Sequence, residues 1–178
     1  MPFRKITLVD YDINWPAQFE TEKNLIINML DDCVVDCFHI GSTSVPGLAA
    51  KPIIDILLVV SSLQKLDKRQ SALESVGYIA RGENGIVGRR YFYKGLVVRQ
   101  FHLHAYETTH PDIVRHLAFR DYLKRNPEIA AEYQETKKKA LIMADNDPVI
   151  YAELKAPFIK KHESIALHLA KKSWLQHD

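Results

Sequence analysis

HIGSTSVPGLAAKPIIDILLVV, residues His39 to Val60, reads as the end of one apolar strand, a loop holding Gly41, Ser42, Pro46 and Gly47, and a second strand whose only acidic residue is Asp55. Two buried strands joined by a small-residue turn, with one carboxylate among aliphatics, form a pattern suited to a polar ligand. Gly41 lets a ligand approach the backbone closely, and Ser42 sets a hydroxyl beside amide donors. Asp55 sits among Ile53, Ile54, Ile56, Leu57 and Leu58, where an unpaired charge is expensive to bury. It is therefore expected to meet a metal, a cation or backbone donors. A tight turn plus a strand-end Asp tied to a helix cap or an arginine is the structural alternative, and composition alone leaves both open.

Working outward, the chain has 178 residues, 47% hydrophobic and 26% charged, which fits one sizeable globular domain. The formal charge of +2 gives no clear nucleic-acid signal. Ile53 to Val60 is the longest apolar run and is too short to span a bilayer. No cationic segment leads into a long apolar stretch at the N-terminus, so no secretory signal is read. Cys33 and Cys37 match no zinc or redox spacing and are read as free thiols, with a cytoplasmic location expected.

Upstream, Ile6 to Val9 reads as a short strand. Asn14-Trp15-Pro16 starts a helix that carries Trp15, Phe19, Ile26, Met29 and Leu30 at helical spacing to about Asp31. Val34 to Ile40 is the strand entering the loop. Downstream, Ser62 caps a helix with Leu63, Leu66, Leu73 and Val76 on one face, and Gly77 ends it. Tyr78 to Ala80 resumes a strand, Arg81 to Gly88 is a glycine-rich surface loop, and Arg90 to Lys94 pairs with Leu96 to Tyr106 around Lys94-Gly95. Along that second arm Val98, Gln100, His102, His104 and Tyr106 share one face, so two imidazoles project together, as a metal or anion site requires. Two ordinary histidines on a partly wet sheet are the alternative.

The remainder reads as helices opened by Pro111, by Asn126-Pro127 and by Asp147-Pro148, the second running to about Ala144. The third must be kinked or broken by Pro157 before it reaches Trp174. Lys137 to Lys139 reads as a solvated face with one lysine turned inward, and Tyr151 and Lys155 lie one turn apart on the same side. The expected architecture is a single α+β domain over 1–178: an αβ core of about 1–108 with a small mixed sheet flanked by helices, then a helical part of about 109–178.

Gly41 to Lys51 lacks the G-x-x-x-x-G-K-[ST] of a P-loop, and neither G-x-S-x-G nor H-E-x-x-H occurs. One pattern fits. Nucleotidyltransferases carry an apolar residue, Gly-Ser, a gap of about a dozen residues and an Asp on the next strand; here Ile40-Gly41-Ser42 is followed by twelve residues and Asp55. HIGSTSVPGLAAKPIID, followed in order by RQFHLHAY, FRDYL, EYQETKKKA and YAELKAPFI, and preceded by VDYDINWPAQFETE, resembles the GrpB family over nearly the whole chain.

The resemblance implies a nucleotidyltransferase-like fold in which the Gly41-Ser42 turn holds phosphates and Asp55 takes the place of the first metal-binding carboxylate. The second acidic position is Leu57, and the later-strand acid is replaced by His102 or His104. Two-metal phosphoryl transfer needs carboxylates to clamp hard ions. One Asp with imidazoles suits a softer ion better. The expected site is thus Asp55, His102 and His104 as catalytic groups, with Asp55 and His104 holding a divalent metal (Mg²⁺ or Mn²⁺, Zn²⁺ less favoured). Gly41, Ser42, Lys51, Arg90, Arg99, Arg120 and Lys137 are the phosphate contacts, with or without that metal. Three activities are open: nucleotidyl transfer from a nucleoside triphosphate to an unidentified acceptor; a non-catalytic nucleotide- or phosphate-binding helper; or a metal-dependent hydrolase using His39 with Asp55, His102 and His104. The helper reading follows from GrpB-like segments joined to dephospho-CoA kinase, which implies that kinase as a partner and a link to coenzyme A metabolism.

Overall fold

The computed structural model describes residues 6–175. Strands β1 (Val34–Ile40), β2 (Ile54–Val60), β3 (Tyr78–Ala80), β4 (Arg89–Lys94) and β5 (Phe101–Glu107) form one mixed sheet in the order β1-β2-β5-β4-β3. β2 and β5 run parallel and every other neighbouring pair is antiparallel. Around the sheet lie α1 (Trp15–Leu30), α2 (Leu63–Lys68), α3 (Gln70–Ser75), α4 (Pro111–Arg125), α5 (Pro127–Ala144) and α6 (Pro148–Leu175). This is the expected α+β architecture of a small mixed sheet flanked by helices with a helical C-terminal part.

Alternation along β2 divides the core. Ile54, Ile56, Leu58 and Val60 face α1, α2 and α3 and pack with Trp15, Phe19, Ile26, Leu30, Leu66 and Leu73. Leu57 and Val59 face the other way, joining Ile40, Tyr106 and Ile113 of α4. Each fully buried aliphatic contributes roughly 1.5–3 kcal/mol, so both faces are firmly specified and a one-residue slip of β2 would invert them. Asp55 belongs to the α4 side. A third cluster joins Val45 and Leu48 of the β1–β2 loop to Leu123, Ala130 and Tyr133, which fixes that loop against α4 and α5.

Three local expectations are corrected. Ile6 to Val9 forms no strand; only Val9 pairs, with Ala50 of the loop. The helix expected from Ser62 to Val76 is two short helices that break at Arg69, whose guanidinium reaches Asp32 at 3.2 Å. Ser62 does cap the first, accepting from the amides of Gln64 and Lys65. The second hairpin arm begins at Phe101, because the chain makes a wide turn through Leu96–Gln100 that is closed by the Gln100 amide on the Lys94 carbonyl. Gly95 enters this turn at φ +112°, and a side chain there would run into the Val98 carbonyl. Of the two outcomes expected at Pro157 a break does not occur, and α6 continues as one helix past it. Phe158 stacks on Tyr133 of α5 at 5.0 Å, and this packing compensates for the backbone hydrogen bond that proline cannot donate.

Candidate functional site

β2 and β5 run side by side in register Asp55 to His102 and Leu57 to His104. The parallel pairing sets these residues on one face, near the start of both strands, and β1 delivers Gly41 to the same place because Ile40 pairs with Asp55. Gly41 has φ +70° and ψ −174°, a conformation essentially restricted to glycine. A Cβ there would stand 2.5 Å from Asp55 Oδ2. The glycine is therefore required twice, by its backbone and by the carboxylate beside it. Ser42–Ser44 then forms a 3₁₀ turn, held by the Ser44 hydroxyl donating to the Gly41 carbonyl at 2.6 Å.

Asp55 Oδ1 lies 3.2 Å from Nδ1 of His102 and 3.5 Å from Nε2 of His104. Burial alone would raise the Asp55 carboxyl, but hydrogen bonds and positive charge from these two imidazoles outweigh it and hold the group well below the usual carboxylate range. Tyr91 of β4 packs on both rings, at 5.6 Å from His102 and 5.2 Å from His104. Behind His104 lie the Arg89 guanidinium, 3.5 Å away, and the His116 ring, at 5.6 Å. His116 is pushed down to about 3 by burial and by Arg115 and His104.

A hollow of about 190 Å³ opens in front of Asp55 and His102, walled by Ser42, Lys51, Lys137 and Lys155 with Tyr133 and Tyr151. Lys137 is only 2% exposed; its ammonium donates to Ser42 Oγ at 3.1 Å and to the Ala49 carbonyl. One turn earlier on α5, Gln134 accepts from the Ala49 amide at 2.8 Å, so this helix grips both sides of one loop residue. Lys51 and Lys155 both lie 4.3 Å over the Tyr151 ring, and Lys137 lies 4.8 Å over Tyr133. None of the three has a carboxylate partner among the described residues. Burial and the Lys155 charge lower Lys137 to about 7. Lys155 falls to about 8 through burial and Lys51, opposed by Asp55, and Lys51 is lowered by burial against the same carboxylate.

The structure thus brings Gly41, Ser42, Lys51, Asp55, His102 and Lys137 to one hollow, with His104 immediately behind it. It places the expected arginines elsewhere. Arg90 makes a two-pronged ion pair with Asp67 of α2, at 2.7 and 2.8 Å, because it alternates away from the Tyr91 face. Arg120 bonds Asp121 and the His39 carbonyl and borders a separate cleft on the far side of β1. Arg99 lines a neighbouring chamber that shares His102 with the hollow. His39 stacks on Phe19 at 4.9 Å and bonds Thr43, so it faces α1 rather than Asp55, which removes the four-ligand hydrolase site. Lys155, Tyr133 and Tyr91 are not among the site residues expected from the sequence, although its spacing sets Lys155 one turn from Tyr151 on the same side. Spacing on α5 carries a signal for the first two: Ala130, Tyr133, Lys137, Ala140 and Ala144 recur at helical intervals and are buried, and Tyr151 and Lys155 repeat that spacing on α6.

Among the described residues Asp55, His102 and His104 are the group whose ligand atoms, all within 4.8 Å of one another, could hold a metal. The two separations from Asp55 match the roughly 3.0–3.5 Å between neighbouring ligands around an ion with bonds of about 2.1 Å. Two imidazoles and one carboxylate fit a first-row transition ion better than Mg²⁺. Leu57, fully buried in the aliphatic cluster, supplies no second carboxylate.

A mixed sheet in which Gly-Ser follows one strand and this Asp stands near the start of the next has a nucleotidyltransferase-like fold. The chain is similar to the crystal structure of the Cid1 poly(U) polymerase with MgGTP bound, with a TM-score of 0.51 at 12% identity over 74% of this chain and 44% of that one. The family description "GrpB protein" matches residues 5–164, and the chain belongs to the GrpB family. The crystal structure of GrpB from Enterococcus faecalis is similar at 43% identity, with a TM-score of 0.88 over 94% of this chain and 99% of that one. YqkA of Bacillus subtilis is 41% identical over 165 residues, 93% of this chain and 48% of YqkA, so the chain spans about half the length of that relative. A dephospho-CoA kinase of Mycolicibacterium paratuberculosis is 28% identical over 180 residues, which make up 44% of the kinase. Among the described residues no helix is long and apolar enough to cross a membrane.

Proposed function

We propose that the hollow receives the polyphosphate of a nucleoside triphosphate and that the protein transfers the nucleotidyl group to a small acceptor. The supporting observation is charge: Lys51, Lys137 and Lys155 converge on a recess whose only acid among the described residues, Asp55, is already engaged by two histidines. A polyphosphate balances such a surplus, and charge-assisted bonds from ammonium groups are the strong kind. At about 190 Å³ the hollow lies below the 300 Å³ or so of a whole-ligand pocket, a size suited to phosphates alone. Ser42 and the lysines would orient the phosphates and receive the departing pyrophosphate as an acceptor hydroxyl, its proton passing to solvent, bonds to the α-phosphorus and the α–β phosphate linkage breaks. Asp55, His102 and His104 would hold a divalent ion, Mn²⁺ in preference to Mg²⁺, which when bound polarises a phosphoryl oxygen.

Incubation with each radiolabelled nucleoside triphosphate and Mn²⁺ tests the reading. Label transfer by the native protein and its loss in Asp55→Ala support it; equal turnover by both counts against this site. Leu57 in the second acidic position favours one further reading, a nucleotide-binding helper without turnover. The matched segment of a dephospho-CoA kinase names the partner to try. Nucleotide binding without label transfer, together with recovery of that kinase in a pull-down, would favour it.

A further inference from the structure

A second chamber of about 520 Å³ adjoins the hollow and shares Lys51, Ile53 and His102 with it. Its walls are mainly aliphatic, built from Ile53, Pro148 and the turn residues Val97 and Val98. These two valines are 84% and 65% exposed, and aliphatic side chains grouped at the mouth of a concave site are a sign of a ligand. The walls include two cations, Lys51 and Arg99, and no carboxylate among the described residues. Arg99 enters no ion pair there; it lies 4.3 Å over the Tyr93 ring, and its Nε is buried without an acceptor. A guanidinium with no carboxylate partner beside an apolar wall is a place where an anion can be received. A nucleobase would call for an aromatic face or several polar edges. Apart from Lys51, Arg99, His102 and Thr7 these walls are aliphatic, a lining that matches an apolar body with one charged end better than a base with polar edges all round.

We propose that this chamber seats the acceptor, and that the acceptor is a small molecule with an aliphatic body and an anionic head. The head meets Arg99, and the body lies against Ile53, Val97, Val98 and Pro148. Its other end reaches the boundary that His102 shares with the phosphate hollow. Calling the occupant an acceptor rests on the nucleotidyl-transfer reading; the binding itself does not.

Calorimetry of the full chain with straight-chain carboxylates from acetate to octanoate provides the test. Affinity should rise about three- to fourfold per added methylene until the chamber is filled, and alkylammonium ions of equal length should not bind. Arg99→Gln should weaken octanoate about tenfold or more, with part of the loss restored in Arg99→Lys. Val98→Asp should weaken it comparably while leaving the unfolding midpoint near native. Equal binding of amines and acids, no dependence on chain length, an unaffected Arg99→Gln, or displacement of octanoate by a nucleoside would each overturn the assignment. Lys155→Met separates the two readings. It should abolish pyrophosphate binding and leave octanoate unchanged; retained pyrophosphate binding with normal octanoate behaviour would sink the polyphosphate site and leave the chamber standing.

Discussion

Replacing Gly41 with alanine measures how closely the turn and the acid are built together. At φ +70° and ψ −174° a non-glycine residue is destabilised by about 1–3 kcal/mol. The new methyl would also stand 2.5 Å from Asp55 Oδ2, so the carboxylate must retreat by about 0.9 Å to reach ordinary contact at 3.4 Å. Forcing that side chain off its rotamer adds about 0.5–1.5 kcal/mol, and the movement breaks its contacts with His102 and His104. Gly41→Ala should therefore lose about 2–4 kcal/mol in urea unfolding. Gly47→Ala is the control: it also has a positive φ, +77°, but open space around its Cβ, so it should lose only the backbone share of about 1–2 kcal/mol. A double-mutant cycle completes the test. In an Asp55→Ala background the penalty of Gly41→Ala should shrink by about 1 kcal/mol, because the obstructing oxygen has gone. Equal penalties for both glycines, or zero coupling to Asp55, would refute the reasoning.

Other outcomes follow from the same geometry. Pyrophosphate affinity should fall as pH rises through about 7 to 8, since burial lowers Lys137 to about 7 and Lys155 to about 8 and only their protonated forms attract the anion. Calorimetry across that range reads it, and flat affinity would contradict it. Equilibrium dialysis should show one Mn²⁺ or Zn²⁺ per chain and much weaker Mg²⁺, with His102→Ala or His104→Ala reducing affinity by about tenfold or more; unchanged uptake in both variants would remove the metal from this site. Arg90→Ala breaks a partly exposed pair with Asp67 and should lower stability by at most about 1 kcal/mol, with pyrophosphate binding intact. A loss of binding in that variant would place a phosphate on β4.

Much of the site is local in the chain, and that part is legible without coordinates. Gly41, Ser42 and Asp55 lie within one strand–loop–strand unit, and His102 and His104 share a face through simple alternation. What the sequence cannot show is which cations turn inward. Arg90 and Arg120 have the right chemistry, but each satisfies a nearby carboxylate, and no spacing rule distinguishes a paired arginine from a free one. Lys155 lies a hundred residues from Asp55 and reaches it only because α6 packs along α5. The lysine run 137–139 reads as a solvated face with one lysine turned inward, and that lysine is Lys137, in the buried stripe of α5 between Tyr133 and Ala140. The break at Arg69 carries no mark in the apolar spacing, which runs on through Leu73 and Val76.

The hold that Gln134 and Lys137 keep on Ala49 has a consequence for ligand entry. A single helical turn fastens the amide and carbonyl of that residue, while the same ammonium also steadies Ser42. An incoming anion must draw Lys137 from contacts it already makes, so occupancy exchanges an internal latch for an external one. On the proposed reading the loop loses that internal tie when a phosphate takes Lys137, which would couple the grip of α5 on Ala49 and Ser42 to occupancy of the hollow.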